Sequence, residues 1–347
     1  MTTCPSPTPD LVALDVGGAN IKAADGRGWT LTEPLALWRE WQRLPDVLQR
    51  IVRPAAPRRI VATMTGEIAD CYPSRAAGVG HIVAALEQAA TAAGCDAPPG
   101  IYMLDGSIVP PAEALRQPLQ AAASNWHALA RLAAQHATSD QCLLVDVGST
   151  TVDIVPIVAR RPASLASDDA GRLRTGELVY TGVERTPVAT IVRRLPHAGN
   201  TRPIAAEFFA TSRDAWLLLG ELPEDANACD GADGGPATAD AARRRLARTM
   251  LLEADAVSAD AAVAAAAHVA AAQARAVARA LARVAAASGW RPDCIVLSGH
   301  GPRLAQMAID RTGWTPTIVP LAERLGTAAS RAAPAHALAL IARGAIP

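Results

Sequence analysis

The chain has 347 residues, half of them apolar, and its 33 Lys and Arg residues balance its 33 Asp and Glu residues, so the formal net charge is zero. A chain of this length and apolar content corresponds to about two domains, each able to bury a substantial core. The balanced charge excludes the overall basic field that nucleic-acid binding proteins usually carry, so no nucleic-acid partner is expected.

The cysteines, the first residues and the Ala-rich segment together indicate the compartment. The six cysteines are scattered without a C-x-x-C pair, which is typical of free thiols rather than of a disulfide framework. Residues 1–10 lack the basic and apolar regions of a secretory signal. Arginines interrupt the Ala-rich segment 261–287, which has too little Leu, Ile and Phe for a membrane span. We therefore expect a soluble cytoplasmic protein without a membrane partner, and a homo-oligomer stays open.

Strands and helices alternate in the first part of the chain. Residues 11–16 form a continuous apolar run typical of a buried strand, and Asn20–Ala24 is its predicted hairpin partner, ending at the turn dipeptide Asp25-Gly26. The pattern then predicts an amphipathic helix from Trp38 to Ile51, a strand at Arg59–Thr65, a helix at Gly80–Ala93, a strand at Ile101–Leu104 and a mostly helical segment at Ala112–His136. This alternation favours an α/β fold.

The same pattern begins again near Gln141. Cys142–Val147 is a predicted strand and Thr151–Val158 its partner, and the segment from Arg160 to Asp233 is irregular. Within that segment the pattern predicts a helix around Glu207–Leu219. Beyond it the pattern predicts two helical pieces from the N-cap Thr238 to Ser288, a strand from Cys294 into Gly299–Gly301, a helix at Pro302–Asp310 and a last helix at Thr327–Ala342.

Two domains follow from this repetition. The first is expected at residues 1–137, completed by the C-terminal segment 327–347. The second is expected at residues 140–320, with an insertion at about 160–236.

Each predicted domain begins with a strand that ends in Asp-Val-Gly and turns into a second strand. The first of these turns is Asp15-Val-Gly17-Gly18 and the second is Asp146-Val-Gly148-Ser149. Glycines let the backbone turn sharply, and successive N–H groups in such a turn form a nest for anions. Asp15 and Asp146 stand at strand ends where Mg²⁺ could be held, partly through water. If the two turns face each other across a cleft, they can hold one metal–phosphate group from both sides.

Polar residues beside the turns strengthen the phosphate interpretation. Asn20 and Lys22 follow the first turn, and Ser149, Thr150 and Thr151 form or follow the second. A third glycine turn, Ser298-Gly299-His300-Gly301, ends a later strand. Either Asp-Val-Gly alone is equally well explained as an ordinary strand end, and the functional interpretation depends on finding all three turns. The glycines open into strands rather than helices, which argues against a dinucleotide fold, and no P-loop is present.

Several of the candidate site residues can also be explained by a purely structural role. Lys22 is also explained as a solvated hairpin charge, and Asp153 as a hydrogen-bonding residue of its hairpin. Tyr180 is equally explained as a core residue, Asn125 as a helix cap beside Trp126, and His300 as a surface residue.

The three turns resemble the phosphate and adenosine motifs of a known superfamily. Asp15–Lys22 resembles the first phosphate motif of the actin/Hsp70/sugar-kinase fold, Asp146–Asp153 the second, and Leu297–Gly301 the adenosine motif. The resemblance implies a two-domain, ribonuclease H-like fold with a central cleft.

Longer strings resemble a narrower family, the hydantoinase/oxoprolinase-like proteins of the tetrahydromethanopterin-linked one-carbon pathway. Archaeal relatives in this family act as furan-methanamine synthases of methanofuran biosynthesis, and bacterial members would belong to methylotrophs that make methylofuran. The strings that carry this resemblance are Leu14–Lys22, Thr63–Asp70, Ala123–Trp126, Val145–Asp153, Gly176–Gly182, Arg185–Pro187, Ala206–Thr211, Glu224–Asp225 and Ala232–Gly234.

The resemblance implies a transferase that joins an aminomethylfuran-methyl diphosphate to the phenol oxygen of tyramine or its glutamyl derivatives and releases pyrophosphate. Magnesium and backbone N–H groups would neutralise the leaving diphosphate. A carboxylate would accept the phenol proton, with Glu177, Glu67 and Asp153 as unranked candidates. We assign catalytic roles to Asp15, Asp146 and Glu177, phosphate binding to the first two turns, and substrate binding to Glu67, Asn125, Asp153, Tyr180, Gly299, His300 and Gly301.

Three other functions are compatible with such a fold, because one scaffold hosts many activities. The main alternative is an ATP-dependent small-molecule kinase. A non-catalytic protein that closes on a nucleotide is another. Hydrolysis of hydantoin or oxoproline is the weakest, because the chain is much shorter than the multi-domain hydrolases.

Overall fold

The computed structural model describes residues 9–347. Cys4 and most of residues 1–10, for which no secretory signal was predicted, lie outside the described residues. The chain divides into two compact units. The first contains the chain up to Asp140 together with Ile157–Asp169 and Val319–Pro347, and the second contains Gln141–Pro156 and Ala170–Ile318. Residues 157–169, which the sequence analysis assigned to the second domain, thus belong to the first unit.

The strands of the described residues are short, as is usual for α/β units. They are β1 (Leu11–Val16), β2 (Asn20–Ala24), β3 (Thr30–Pro34), β4 (Arg59–Met64), β5 (Gly100–Tyr102), β6 (Ile108–Val109), β7 (Gln141–Val147), β8 (Val152–Val158), β9 (Arg161–Pro162), β10 (Leu178–Val179), β11 (Arg194–His197), β12 (Asn200–Pro203), β13 (Cys294–Gly299) and β14 (Thr317–Pro320).

The helices vary widely in length. They are α1 (Leu37–Glu40), α2 (Leu44–Ala55), α3 (Arg75–Ala93), α4 (Pro111–Arg116), α5 (Pro118–Ala121), α6 (Asn125–His136), α7 (Asp169–Thr175), α8 (Val188–Ile191), α9 (Ser212–Leu218), α10 (Ala239–Thr249), α11 (Ala259–Ser288), α12 (Pro302–Asp310), α13 (Leu321–Leu325), α14 (Thr327–Arg331) and α15 (Ala333–Ala342). Short 3₁₀ turns lie at Trp41–Arg43, Gly66–Ile68 and Ala254–Ala256.

The sheet of the first unit has six strands in the order β3-β2-β1-β4-β5-β6. The pairs β1/β4 and β4/β5 are parallel, and the hairpin pairs β1/β2 and β2/β3 are antiparallel. All six residues of β1 are buried. A strand that is buried on both faces, and apolar except at Asp15, is expected where helices cover both faces of a sheet.

Helices supply that cover in the first unit. The apolar residues of α2 recur at helical spacing, and they pack with α3 and with alternate residues of β1 in one core. The last helix, α15, packs on β1, β2 and β4 and against α6. Arg343, just beyond α15, donates hydrogen bonds to the carbonyl oxygen of Asp25 and to the carboxylate of Asp10. The C-terminal segment is therefore anchored on the first sheet.

The sheet of the second unit follows the order β10-β8-β7-β13-β14, with β7 and β13 parallel. Its core combines β7, β8 and β13 with residues of α11 and α12. A separate core packs α10 and α11 around β11. The strands β11 and β12 form a small antiparallel sheet of their own.

The long Ala-rich helix α11 is the one helix within residues 9–347 that is long and apolar enough to cross a membrane by length and composition. Half of its most apolar window is buried in the structure. Its buried face packs against α9 and α12, as a core helix does.

The predicted α/β class is confirmed, and several elements differ in detail. The helix predicted from Trp38 to Ile51 is divided by the 3₁₀ turn at Trp41–Arg43, and Pro45 stands at the start of α2, where proline is favoured. The helix predicted around Glu207–Leu219 is present but begins later than predicted, at Ser212, where Thr211 and Asp214 form a capping box. The five cysteines within residues 9–347 form no disulfide bond, as predicted.

Candidate active site

The two Asp-Val-Gly turns are closed by the same backbone hydrogen bond. The N–H of Gly17 donates to the carbonyl oxygen of Asn20 at 3.1 Å, and the N–H of Gly148 donates to that of Thr151 at 2.9 Å. A side chain at Gly17 would bring its Cβ to 2.8 Å from the Asn20 carbonyl oxygen, so the first turn requires glycine there. The repeated sequence motif is thus a repeated turn geometry.

Each turn also accepts a hydrogen bond from the loop that follows the neighbouring parallel strand. The Val16 carbonyl accepts the N–H of Thr65 after β4, and the Val147 carbonyl accepts the N–H of His300 after β13, both at 3.0 Å. Both turns therefore lie at the carboxyl ends of parallel strands, where ligands bind in open α/β sheets.

Asp15 and Lys22 are paired across the first hairpin. Asp15 is 4% exposed at the end of β1, and Lys22 stands opposite it on β2. Directly paired residues of antiparallel strands project from the same face of the sheet, so the side chains of Asp15 and Lys22 share one face of this hairpin. In the second unit, Asp146 is partly buried at the corresponding position of β7.

The donor set around the turns fits magnesium bound with phosphate rather than a protein-only metal cage. Within residues 9–347 no three or more His, Cys, Asp or Glu side chains are grouped to hold a metal ion. Mg²⁺ is usually held by one or two carboxylates together with phosphate oxygens and water. Asp15 and Asp146, each next to an Asp-Val-Gly turn of its own unit, are carboxylates of the kind that this chemistry uses.

Glu67 lies on the 3₁₀ turn Gly66–Ile68, directly beside the first Asp-Val-Gly turn. A Cβ at Gly66 would lie 3.2 Å from the carbonyl oxygens of both Val16 and Gly17. On the other side, a Cβ at Gly78 of α3 would lie 2.2 Å from the Glu67 carbonyl oxygen. The absence of side chains at Gly66 and Gly78 lets this 3₁₀ turn fit between the first Asp-Val-Gly turn and α3.

The carboxyl group of Glu67 is buried without hydrogen bonds. The residue is 1% exposed, and neither carboxylate oxygen has a hydrogen-bonding partner of normal geometry in the described part of the chain. Burial raises the pKa of Glu67 to about 7; nearby backbone N–H groups and the Arg75 guanidinium oppose this rise, and the Asp169 carboxylate adds to it. Arg75 and Asp169 themselves form an ion pair at 2.5 Å.

A buried pair of hydroxyl groups connects α6 to the first sheet. The hydroxyls of Thr63 and Ser124 are 2.8 Å apart, and Ser124 also donates to the carbonyl oxygen of Tyr102. Thr63 is the residue of β4 paired with Asp15 of β1. Asn125, the first residue of α6, directly follows Ser124 in the chain. Asp15, Glu67 and Asn125 therefore share the carboxyl-terminal edge of one sheet.

The second turn is covered by the segment after β10. The carbonyl of Ser149 accepts N–H groups from both Glu184 and Arg185, and the carbonyl of Gly148 accepts that of Val183. At the third turn, Gly299 has a φ of +84° and its Cβ would lie 2.1 Å from the Val147 carbonyl oxygen, and a Cβ at Gly301 would lie 2.4 Å from the Val147 side chain. These glycines hold His300 beside the second turn.

Sequence analysis missed the acidic partner of His300. Glu184 Oε1 lies 3.1 Å from His300 Nε2, and Glu184 Oε2 lies 2.9 Å from an Arg213 nitrogen. Burial opposes ionisation of Glu184, but His300 and Arg213 outweigh it and lower its pKa to about 2. The one sequence feature that could have indicated a role for Glu184 is its position directly before the string Arg185–Pro187, which carries part of the family resemblance.

Glu177 and Asp153 belong to a buried arginine cluster. Arg172 is 1% exposed and donates to an Asp153 carboxylate oxygen at 2.9 Å and to the Glu177 carbonyl oxygen at 3.2 Å. The Glu177 carboxylate accepts a hydrogen bond from the Thr175 hydroxyl at 2.8 Å. Both acidic residues are therefore engaged in the packing of α7 against β8 and β10.

The remaining candidate residues lie near these turns. Asn20 and Gly18 are partly exposed in the first turn, as are Thr150 and Thr151 in the second. Tyr180 is 59% exposed just after β10, so its alternative as a core residue is wrong.

A family model described as hydantoinase/oxoprolinase matches residues 58–342. The chain belongs to the hydantoinase/oxoprolinase family, and the family predicted from its sequence strings is confirmed. The match contains the second and third turns, and the first turn precedes it.

The curated relatives carry one enzyme name. The chain is 27% identical over 332 residues to a protein of Methanocaldococcus jannaschii named (4-{4-[2-(gamma-L-glutamylamino)ethyl]phenoxymethyl}furan-2-yl)methanamine synthase, covering 95% of this chain and 96% of the relative. A protein of the same name from Methanococcus vannielii is 28% identical over 202 residues, which is 58% of this chain and 90% of the relative.

Similar solved structures include two sugar kinases. The inorganic polyphosphate/ATP-glucomannokinase of Arthrobacter sp. strain KM has a TM-score of 0.44 at 13% identity and covers 96% of this chain and 98% of its own. The ROK hexokinase of Thermus thermophilus has a TM-score of 0.43 at 17% identity and covers 96% and 99%. These scores are low, and family membership rests on the sequence matches.

Proposed function

We propose that this protein is a transferase of methylofuran or methanofuran biosynthesis. It joins an aminomethylfuran-methyl diphosphate to the phenol oxygen of tyramine or a glutamyl-tyramine, and pyrophosphate leaves. The observation that carries the proposal is the similarity to the Methanocaldococcus jannaschii synthase over 95% of this chain. The product named for that relative contains the phenoxymethyl-furan ether that such a reaction forms.

The two phosphate turns support this chemistry. A diphosphate that leaves a furan-stabilised methylene carbon gains negative charge in the transition state, and pre-oriented N–H groups stabilise such charge. The Gly17 and Gly148 N–H groups close the two turns, and the N–H groups of the residues that follow them would serve as such donors, with Lys22 as a cation beside the first turn. Ser149, Thr150 and Thr151 add hydroxyl donors beside the second.

We assign Asp15 and Asp146 as the carboxylates that hold Mg²⁺ with the substrate diphosphate. Bound magnesium would supply charge neutralisation for the leaving group. His300, Asn125 and Tyr180 remain our candidates for substrate contacts. From the composition we also propose a cytoplasmic location, and from the family resemblance a role in methylotrophic one-carbon metabolism.

The test is a direct assay with the furan-methyl diphosphate, Mg²⁺ and either tyramine or γ-glutamyl-tyramine. The proposal predicts one ether and one pyrophosphate per turnover, detected by mass spectrometry and a pyrophosphatase-coupled phosphate assay. Asp15→Asn and Asp146→Asn variants should lose turnover and keep their thermal unfolding transitions. Consumption of ATP with phosphorylation of the acceptor, and no ether, would instead establish the kinase alternative.

A further inference from the structure

Only one of the three carboxylates considered for the acceptor proton is left without a hydrogen-bonding partner by the fold. Asp153 is held by Arg172, and Glu177 accepts the Thr175 hydroxyl bond. Both carboxyl oxygens of Glu67 are buried, and neither accepts a hydrogen bond of normal geometry from residues 9–347; the N–H groups of Glu67 and Ala123 are near enough only to lower its pKa somewhat. A buried carboxyl without partners is costly, so such a group calls for a functional explanation.

We propose that Glu67 is the general base that removes the phenol proton of the acceptor, an inference that rests on the proposed function. The phenol O–H proton passes to a Glu67 carboxylate oxygen as the phenol oxygen forms its bond to the furan methylene carbon. The bond from that carbon to the diphosphate oxygen breaks, and its electron pair leaves with pyrophosphate. Atoms and charge then balance without a further reactant.

The position of Glu67 suits this step. Its turn lies against Val16 and Gly17 of the first phosphate turn, so the base and the leaving-group site share one sheet edge. The next residue, Ile68, is 48% exposed, so the turn that carries the buried carboxyl reaches the surface. An acceptor phenol that binds over this turn would give the carboxyl the hydrogen-bond donor that it lacks.

The charged neighbours of Glu67 also suit a base. Arg75, the first residue of α3, is paired with Asp169, the first residue of α7, so its charge is largely committed. Burial and Asp169 both favour the protonated carboxyl, and the resulting pKa of about 7 lies near a working pH, where general bases are most effective.

The first test is a Glu67→Gln variant, with Glu87→Gln on the exposed face of α3 as the matched control. We expect Glu67→Gln to lower kcat by about 100-fold or more, the usual contribution of a positioned base, with a smaller change in KM. In the wild type, kcat should rise with pH through about 7, and this limb should disappear in Glu67→Gln. Glu87→Gln should keep both the rate and the limb.

The second test separates a base from a structural residue. Tyramine with ring fluorine atoms has a more acidic phenol and needs less help to ionise, so the loss caused by Glu67→Gln should shrink at least tenfold with this acceptor. If Glu67→Gln unfolds, Glu67→Asp replaces it and should retain a displaced pH limb. An equal loss with both acceptors, or an unchanged pH profile, overturns the role of Glu67. A folded wild type that forms no ether with either acceptor overturns the proposed function itself.

Discussion

Gly182 lies directly against the backbone of Ser149 in the second Asp-Val-Gly turn. A Cβ at position 182 would be 2.4 Å from both the carbonyl carbon and the carbonyl oxygen of Ser149. The same carbonyl accepts the N–H groups of Glu184 and Arg185, so Gly182 permits the close approach on which those bonds depend. The string Gly176–Gly182 therefore supports the turn through its backbone.

Gly182→Ala should displace the segment from the turn. We expect a loss of about 1 to 3 kcal/mol in unfolding free energy, the usual cost of overpacking, together with a large loss of activity. Gly148→Ala is the control for stability, because its Cβ would meet only the Thr151 carbonyl oxygen, at an ordinary 3.5 Å. Urea unfolding measures both. Equal stability of the two variants would contradict the described contact.

The first turn offers a matched pair of neighbouring glycines. Gly17→Ala places a Cβ 2.8 Å from the Asn20 carbonyl oxygen, whereas at Gly18 nothing lies within 4 Å. Gly17→Ala should therefore lower the melting temperature. Gly18→Ala should change the free energy of unfolding by no more than about 0.5 kcal/mol and so leave the melting temperature nearly unchanged. Differential scanning fluorimetry compares them. A Gly18→Ala variant that melts as early as Gly17→Ala would rule out this turn geometry.

The ionised Glu184 carboxylate should stabilise the folded protein, and this contribution should be lost in acid. Because its folded pKa of about 2 lies below the ordinary value of 4.5, it contributes stability above pH 4.5 that is lost as the pH falls toward 2. Glu184→Gln should therefore cost about 2 to 3 kcal/mol at pH 7 and much less at pH 3. Urea titrations of wild type and variant at both values measure the difference. A cost that does not depend on pH would show that the charge of Glu184 is not stabilised.

Arg172 should be a stability residue. Replacing it with Met leaves the Asp153 carboxylate without its guanidinium partner, and removing one member of a buried ion pair costs about 3 to 5 kcal/mol. Arg174→Met, on the exposed face of the same helix, is the control and should change little. Thermal unfolding compares the two variants, and similar transitions would argue against the buried cluster.

The elements that carry the turns were predictable because local pattern and tertiary environment agree there. β1 and β7 are buried apolar runs that end at Asp-Val-Gly, and each continues into the predicted second strand. Apart from the predicted helix around Glu207–Leu219, the segment 160–233 was predicted as irregular, yet it contains α7, α8 and the β11/β12 hairpin. All four residues of β12 are exposed, so it shows no alternation of apolar and polar residues.

The candidate site was predictable where backbone geometry determines it and not where tertiary contacts do. Glycine spacing indicated the turns at Gly17 and Gly148. The sequence could not rank Glu67, Asp153 and Glu177 as candidate bases. Their burial and their hydrogen-bonding partners distinguish them, and Arg172 of α7 donates hydrogen bonds to Asp153 and Glu177. The pairing of Glu184 with His300 likewise joins residues far apart in the chain.

The central claim is that the enzyme breaks a carbon–oxygen bond and releases intact pyrophosphate. The most direct measurement uses the furan-methyl diphosphate with oxygen-18 in the oxygen that bridges carbon and phosphorus. Mass spectrometry of both products then shows which bond was cleaved. The account predicts that all label leaves in pyrophosphate and none enters the ether; label retained on the furan methylene product would contradict it.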